Sequence, residues 1–464
     1  MLTPAVTAKV TPGSLITDNM VLTQNGKANI YGTADDGATV TVTPSWNNRP
    51  YQTKADKQGK WNVKIDTPAG SYTPYSITIS DGTPLTIENV LIGEVWLASG
   101  QSNMEMPLKG FGGCCTEGGY DEIAQAGQRA GKIRFYTVPL KQSYTPLEDA
   151  EAAWTVPSPE SSPEYSATGW FFAKRLNDVL DVPVGIVRCA YGGAKVESWT
   201  PREIVETYAD VSLDPEEIEK MTHYLRPVLM YNAMFNPVKD FTYDGIIWYQ
   251  GCSNVGQHDT YAQRLATMVD HWRTQLGEGD IPFYQVEIAP YDYESPKDAP
   301  AAPLLREAQW KSTEIIPNSG VVCMNDAAKP YERFNIHPAD KATPGKRLAE
   351  LALNKTYGKT QFPVVSPRYK SHTLKDGTAR VAIDAPGDGI CRNYDIEGFE
   401  IAGPDKVFHP ADNVTFEWRT NEFVVSSKDV PEPVAVRYGW ADFLPGNVHG
   451  GNYLPLIPFR TDNW

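Results

Sequence analysis

The chain has 464 residues, 41% of them hydrophobic and 21% charged, and a net charge of −15. That length exceeds one ordinary core and sets an expectation of two or three domains. The acidic balance argues against nucleic acid and anionic membrane as partners, since both require basic patches, and no window approaches 18 apolar residues, so no membrane insertion is expected.

Residues 1–90 alternate short β-prone runs (28–32, 39–43, 60–65 and 75–79) with turn clusters, the spacing of a small β-sandwich. Met1-Leu2-Thr3-Pro4 opens directly into this pattern, without the charged and apolar regions of a signal peptide. From 91 to 357 the character changes. Apolar runs at 95–98, 133–138, 184–189, 245–249, 283–288 and 321–324 alternate with helical periodicity at 168–180, 261–276, 303–315 and 343–353. This alternation predicts an α/β domain, a parallel sheet with helices on both faces. Over 358–464 β patterns return at 379–383, 413–418, 422–426 and 434–438, predicting a C-terminal β-rich domain. The six cysteines, Cys114, Cys115, Cys189, Cys252, Cys323 and Cys391, match no zinc spacing. Cys189 and Cys323 end apolar runs and read as buried thiols, whereas Cys114-Cys115 lies in a glycine-rich loop and is placed to join a disulfide. No metal-ligand cluster and no phosphate-binding glycine motif is present, so neither metal nor cofactor is expected.

Three of the central apolar strands run into glycine-containing polar turns. The first carries Ser99-Gly100-Gln101-Ser102-Asn103-Met104-Glu105, the second Tyr191-Gly192-Gly193, and the third Gln250-Gly251-Cys252-Ser253-Asn254. A fourth turn, Asn335-Ile336-His337-Pro338, precedes a predicted helix. In a parallel sheet such turns leave the strands at their carboxyl ends, where open α/β sheets place ligands. The residue types suit acyl transfer. A serine hydroxyl becomes nucleophilic when a base takes its proton, and histidine has the pKa for that. The tetrahedral oxyanion needs preorganised donors; the candidates are the N–H of Ser102, the N–H of Gly193 and the side-chain amide of Gln250 or Asn254. Each piece has a plain structural reading by itself: a turn needing positive φ, a loop histidine, a helix cap. Four such turns in one order favour the catalytic reading. The Gly-x-Ser-x-Gly elbow is missing around Ser102, which disfavours an ordinary α/β-hydrolase.

On these motifs the chain resembles the sialate O-acetylesterase family, a branch of the SGNH (GDSL-like) hydrolases. The likeness rests on Ser99–Glu105, on Gly192-Gly193 followed by Glu197-Ser198-Trp199, on Trp248–Asn254 and on Ile336-His337-Pro338. It extends to Asp18-Asn19-Met20-Val21-Leu22 and Ile30-Tyr31-Gly32 near one end, and to 436–440 and 458–462 near the other. The resemblance implies an SGNH-type three-layer αβα domain with a parallel central sheet at 91–357, between β-sandwich modules at 1–90 and 358–464. It implies Ser102 as nucleophile and His337 as general base acting on an O-acetylated sugar, first of all 9-O-acetylated sialic acid, in a periplasmic or secreted setting. Gln101, Asn232 and Trp199 become substrate-side candidates, and the loops 104–131, 140–166 and 289–302 are where sugar specificity is expected.

Two departures from the family pattern stand out. Cys252 occupies a position where the family usually has glutamate. Phe334 stands three residues before the histidine, where many SGNH enzymes carry aspartate. Glu332 and Asp326 are the nearest upstream carboxylates that could orient His337, and a Ser-His dyad held by a backbone carbonyl is the other option. Two further functions stay open: an acetylesterase of plant polysaccharides such as xylan, xyloglucan or pectin, and a carbohydrate-binding protein with an impaired esterase core.

Overall fold

The computed structural model describes residues 10–296, 298–386, 389–391 and 395–464; residues 1–4, where no signal peptide is expected, lie outside the described residues. The chain divides into two compact units, Met1–Trp248 with Thr267–Phe283, and Tyr249–Ala266 with Tyr284–Trp464.

In the first unit, Lys27–Thr33 pairs antiparallel with Lys60–Asp66, and Thr39–Pro44 pairs with both Tyr51–Lys54 and Ser71–Ser80. Val40 and Val42 point inward while Thr41 and Thr43 stay partly wet, the alternation of a half-covered strand. The parallel core of this unit contains β1 (Pro84–Gly100), β2 (Ile133–Thr137), β3 (Val184–Ala190) and β4 (Gly245–Tyr249), in the order β2-β3-β1-β4. β3 is parallel to both of its neighbours. Every residue of β3 and β4 is buried, so these strands read in sequence as apolar runs, interrupted in β3 only by Arg188.

β1 runs without interruption through residues 90 and 91, where the sequence pattern places a domain boundary. Its first part pairs antiparallel with Ser71–Ser80, and its second, from Glu94, pairs parallel with β3. Burial becomes continuous at Val90, so the pattern changes in mid-strand although the chain never leaves the sheet.

α1 (Ser102–Glu105) is a single turn directly after β1. α2 (Ala167–Leu180) starts where Ser166 caps the Gly169 N–H, and it buries Trp170, Phe172, Ala173 and Leu176 on one face. α3 (His258–Leu276) begins three residues before the expected 261.

The second unit holds β5 (Phe283–Val286, from Tyr284 onward), α4 (Ala301–Ile315), β6 (Ser319–Val322) and α5 (Ala342–Lys355), with both helices packed on β6. α5 is started by Asp340, whose carboxylate takes the Thr343 N–H at 2.9 Å and the Thr343 hydroxyl at 2.5 Å. Two four-stranded antiparallel sheets follow, one ordered Arg368–Lys375, Thr378–Asp384, Glu422–Ser426, Asn413–Glu417, the other Phe408–Pro410, Phe399–Ala402, Ala435–Tyr438, Phe459–Arg460. Val381, Phe399, Phe423, Tyr438 and Phe459 share one core.

The fold class is therefore the expected one: parallel strands flanked by helices, with antiparallel sheets before and after them in the chain. Among the described residues no helix is long and apolar enough to cross a membrane, and no group of three His, Cys, Asp or Glu side chains is placed to hold a metal ion. All six cysteines are free thiols, with Cys189 and Cys323 buried and Cys114 and Cys115 unlinked.

Candidate active site

Ser102 sits at the corner where β1 turns into α1. The turn is closed by the Gln101 carbonyl, which accepts the Met104 and Glu105 N–H groups at 2.8 and 2.9 Å, and by the Ser102 carbonyl, which accepts the Met106 N–H at 2.7 Å. One helical turn is not stable alone; here it is pinned from outside. The Ser166 hydroxyl donates to the Met104 carbonyl at 2.6 Å and the Thr168 hydroxyl to the Asn103 carbonyl at 3.0 Å.

β1 and β3 run in register, Gly100 opposite Ala190, and the Tyr191 N–H donates to the Gly100 carbonyl at 3.1 Å. The Gly192-Gly193 turn therefore emerges beside Ser102. A Cβ on Gly192 would lie 3.5 Å from the Ser102 Cβ, so the two backbones are in close approach. Gly193 has φ +77°, and a Cβ there would meet the Tyr224 ring at 2.3 Å, so glycine is required on both counts. The Ser102 and Gly193 N–H groups have no acceptor among the described residues. Two unsatisfied N–H groups at one corner are the donors an oxyanion requires.

Beneath this corner lies Glu105, a residue that belongs to the serine motif but to which the sequence assigns no role. Glu105 accepts the Gly192 N–H at 2.5 Å. Burial pushes its carboxyl pKa up, and the Arg188 guanidinium and the Gly192 N–H oppose that rise. Arg188 is itself 8% exposed and donates to the Ala190 carbonyl at 3.2 Å. Glu105 and Arg188 thus brace the diglycine turn from below. The signal available in the sequence is a charged residue inside the otherwise apolar run of β3.

In the second unit, the chain leaves β4 through Gln250 and Gly251 into the helical turn Cys252–Asn254. Gln250 is fully buried and both ends of its amide are used: Nε2 donates to Asn254 Oδ1 at 2.7 Å, and Oε1 accepts the Tyr261 hydroxyl at 3.0 Å. Its carbonyl accepts Gln309 Nε2 at 3.0 Å. Asn254 Nδ2 in turn donates to Gln257 Oε1 at 3.0 Å. The chain Tyr261, Gln250, Asn254, Gln257 fixes the direction of the Asn254 amide. Of the two amides expected as donors, Asn254 is the one held in position and Gln250 is what holds it. Cys252 is buried, and burial pushes its thiol pKa up while Tyr293, Arg306 and Lys341 act the other way.

His337 lies on a loop that is itself strapped. Glu332 accepts the Lys329 N–H at 2.9 Å and the Ala339 N–H at 2.8 Å, one on each carboxylate oxygen. The His337 N–H donates to Asn335 Oδ1 at 3.1 Å, and Lys341 Nζ donates to the Pro338 carbonyl at 2.5 Å. Burial, and then the Lys341 ammonium, hold the imidazole down at about 4. The ring is neutral at pH 7, the form a general base needs.

Neither expected carboxylate is bonded to that ring. Glu332 spends both oxygens on backbone N–H groups and so braces the loop. Asp326 is held by Arg347 through two bonds of 2.7 Å, and by His449 Nε2 at 3.1 Å. Burial would raise the Asp326 pKa, but Arg347 and His449 outweigh it and hold the carboxyl at about 2. A depressed carboxyl pKa stabilises the fold above its unfolded value of 3.8, and that contribution, about 2 kcal/mol, is lost as pH falls toward 2. Asp326→Asn leaves Arg347 buried without its charge partner, so it should cost about 3–5 kcal/mol in a denaturant titration. A normal stability with a lost kcat would instead assign Asp326 to the chemistry.

The remaining candidates divide. Gln101 is 2% exposed and serves the corner through its carbonyl. Asn232, in the π-helical turn Tyr231–Phe235, donates to the Ser143 carbonyl at 3.1 Å, and its own carbonyl accepts the Leu147 N–H at 2.8 Å. It fastens part of the 140–166 loop. Trp199 corrects its expected role: it has no exposed surface and packs edge-on to Trp248 and Trp272, at 6.3 and 6.2 Å. Its motif position belongs to the core, where a sugar does not reach.

Residues 92–354 match the family described as carbohydrate esterase, sialic acid-specific acetylesterase. The chain belongs to this family. It is accordingly a carbohydrate acetylesterase, a carboxylic-ester hydrolase. Sialate O-acetylesterase from Mus musculus is 26% identical across 96% of this chain and 93% of its own length; that from Rattus norvegicus is 27% identical across 97% and 93%. The crystal structure of a carbohydrate acetylesterase from Xanthomonas citri is 31% identical, with a TM-score of 0.87, covering 98% of this chain and 100% of that one. Ser102, Gly193, Gln250, Asn254 and His337 all fall inside the segment matched to the esterase family.

Proposed function

We propose that this esterase removes acetyl groups from sugar hydroxyls with Ser102 as nucleophile and His337 as general base. The observation that carries the reading is the Ser102 corner, where a braced diglycine turn adjoins the serine and two N–H groups are unpaired. Ser102 Oγ attacks the acetyl carbonyl carbon while His337 takes its proton. The oxyanion is held by the N–H groups of Ser102 and Gly193 and by the Asn254 amide. The intermediate collapses, the bond to the sugar oxygen breaks, and the imidazolium returns the proton to that oxygen. A water activated by His337 then cleaves the acetyl-serine, releasing acetate and restoring Ser102.

The low pKa of His337 has a direct consequence. Protonation removes the base, so the acid limb of kcat/KM should fall near pH 4 rather than 6.5. Lys341→Met removes the adjacent cation and should move that limb upward, while burial keeps it below 6.5. A limb unmoved by Lys341→Met would remove Lys341 from the electrostatics of the base.

Two substrate readings have support. Relatives named sialate O-acetylesterase favour an O-acetylated sialic acid, for which we take the 9-O-acetyl ester, and the relative named a carbohydrate acetylesterase, from Xanthomonas citri, favours an acetylated carbohydrate of another kind. We take acetylated sialoglycans as the first substrate. Acetate release from a 9-O-acetyl sialoside, acetyl-xylan and acetyl-pectin, measured side by side, tests this. Turnover of the sialoside above the other two supports it; turnover of acetyl-xylan or acetyl-pectin alone transfers the assignment to plant polysaccharides. Failure to cleave any of them, or 4-nitrophenyl acetate, would leave a carbohydrate-binding protein.

A further inference from the structure

A cavity of about 530 Å³ opens within the second unit. One wall is formed by Asp292, Glu294, Ser295, Pro296 and Pro300, a second is the 440–444 stretch, and the third is Arg333 with Phe334, from the same loop that carries His337. Phe334 lies three residues before His337, which limits the distance between their Cα atoms to about 11 Å.

The walls are fixed by bonds that do not need a ligand. Arg333 pairs with Asp292 at 2.7 Å, and its guanidinium lies 5.8 Å from the Phe334 ring centre and 5.9 Å from that of Phe443. The Asp442 carboxylate accepts the Ser295 and Ala302 N–H groups at 3.1 and 3.0 Å, tying Ser295 and the first turn of α4 to the 440–444 stretch. Within this frame Phe334 is 68% exposed. An aromatic ring held at a cavity rim by an ion-paired arginine is an apolar platform rather than a piece of core.

Its chemistry selects among ligands. Apolar rings from Phe334 and Phe443 stand beside oxygen acceptors from Asp292, Glu294 and Glu400, the mixture that suits a ring with C–H faces and hydroxyl edges. The one guanidinium among the lining residues is already paired to Asp292, and carboxylates outnumber it, so an anionic ligand is disfavoured. Burial pushes the Glu400 carboxyl pKa up, consistent with a sparsely hydrated wall.

We propose that this cavity is a subsite for a neutral sugar ring of the glycan that carries the acetyl ester. The proposal rests on the esterase reading, since the ring it binds is joined to the sugar being deacetylated. It predicts a preference for oligosaccharide esters over esters too small to reach Phe334.

The test compares kcat/KM for 4-nitrophenyl acetate, acetylated xylotriose and 9-O-acetyl sialyllactose. Phe334→Ala should lower kcat/KM about tenfold for at least one of the two oligosaccharides, the usual scale for truncating a contact residue, and leave the aryl acetate unchanged. Phe334→Tyr, which keeps the ring, should restore the loss. Equal losses on all three substrates, or none on either oligosaccharide, would overturn the subsite. A binding arm separates this from the esterase reading. In the Ser102→Ala protein, calorimetric titration with xylotriose and with lactose should show binding of one of them, weakened by Phe334→Ala. If the wild type cleaves nothing yet this binding appears, the esterase reading fails and the subsite stands. If neither sugar binds, the subsite fails whatever the esterase does.

Discussion

Ser102→Ala and His337→Ala should each lower kcat for acetate release by about 10⁴- to 10⁶-fold, and the double variant should be no worse than either single one. The non-additivity is the informative part. A nucleophile and its base act as one unit, so removing the second member after the first costs almost nothing more. Residual turnover above the uncatalysed rate is expected, because the Ser102 and Gly193 N–H groups and the Asn254 amide remain. Folding should be undisturbed: His337 is only partly buried and its loop is held by Glu332, Asn335 and Lys341 independently of the ring. A His337→Ala protein with a normal unfolding transition and wild-type acetate release would remove the histidine from the mechanism.

Asn254→Ala should lower kcat by about 10²- to 10³-fold with little change in KM, corresponding to about 3–4 kcal/mol of transition-state stabilisation. The amide is asked to bind an oxygen whose charge appears only at the tetrahedral stage, so the ground state should not register its loss. Gln250→Leu makes the contrast. Gln250 donates to Asn254 and accepts from Tyr261 while fully buried. Its loss should therefore lower kcat less than Asn254→Ala does, and lower the melting temperature as well, because Asn254 Oδ1 and the Tyr261 hydroxyl are left without that partner. Kinetic equality of the two variants with unchanged stability would mean that Gln250 itself meets the oxyanion.

Much of this architecture is legible in the sequence because the relevant elements carry strong periodic signals. β3 and β4 are buried along their whole lengths and announce themselves as apolar runs, broken only by Arg188 in β3; α2, α4 and α5 follow their helical pattern to within a few residues. The strand Arg368–Lys375 escapes such a reading because it lies largely exposed, with Arg368, Lys370, His372 and Lys375 in place of an apolar face. Its identity comes from pairing with Thr378–Asp384, a tertiary fact. The boundary expected at 90 falls inside β1, because a change from half-covered to fully buried sheet resembles a change of domain.

The site divides in the same way. Motif order points to the serine, the diglycine turn, the amide segment and the histidine. What motifs do not encode is which polar groups are already satisfied. Only the folded chain reveals that Glu332 is consumed by two backbone N–H groups, that Asp326 belongs to Arg347 and His449, and that Trp199 packs against two other tryptophans. Glu105 is the converse case: a motif residue whose use, holding the turn beside Ser102, follows from one bond to Gly192.

The central claim is that the Ser102 hydroxyl attacks the ester, and labelling with a fluorophosphonate tests it most directly. The serine oxygen displaces fluoride from phosphorus and leaves a stable phosphonyl ester on the nucleophile. The expected result is one label per chain, mapped to Ser102 by peptide mass analysis, with acetate release falling in proportion to labelling and no label on the Ser102→Ala protein. Acetate release that survives full labelling of Ser102, or a label whose site is another residue and whose extent tracks the loss of activity, would contradict it.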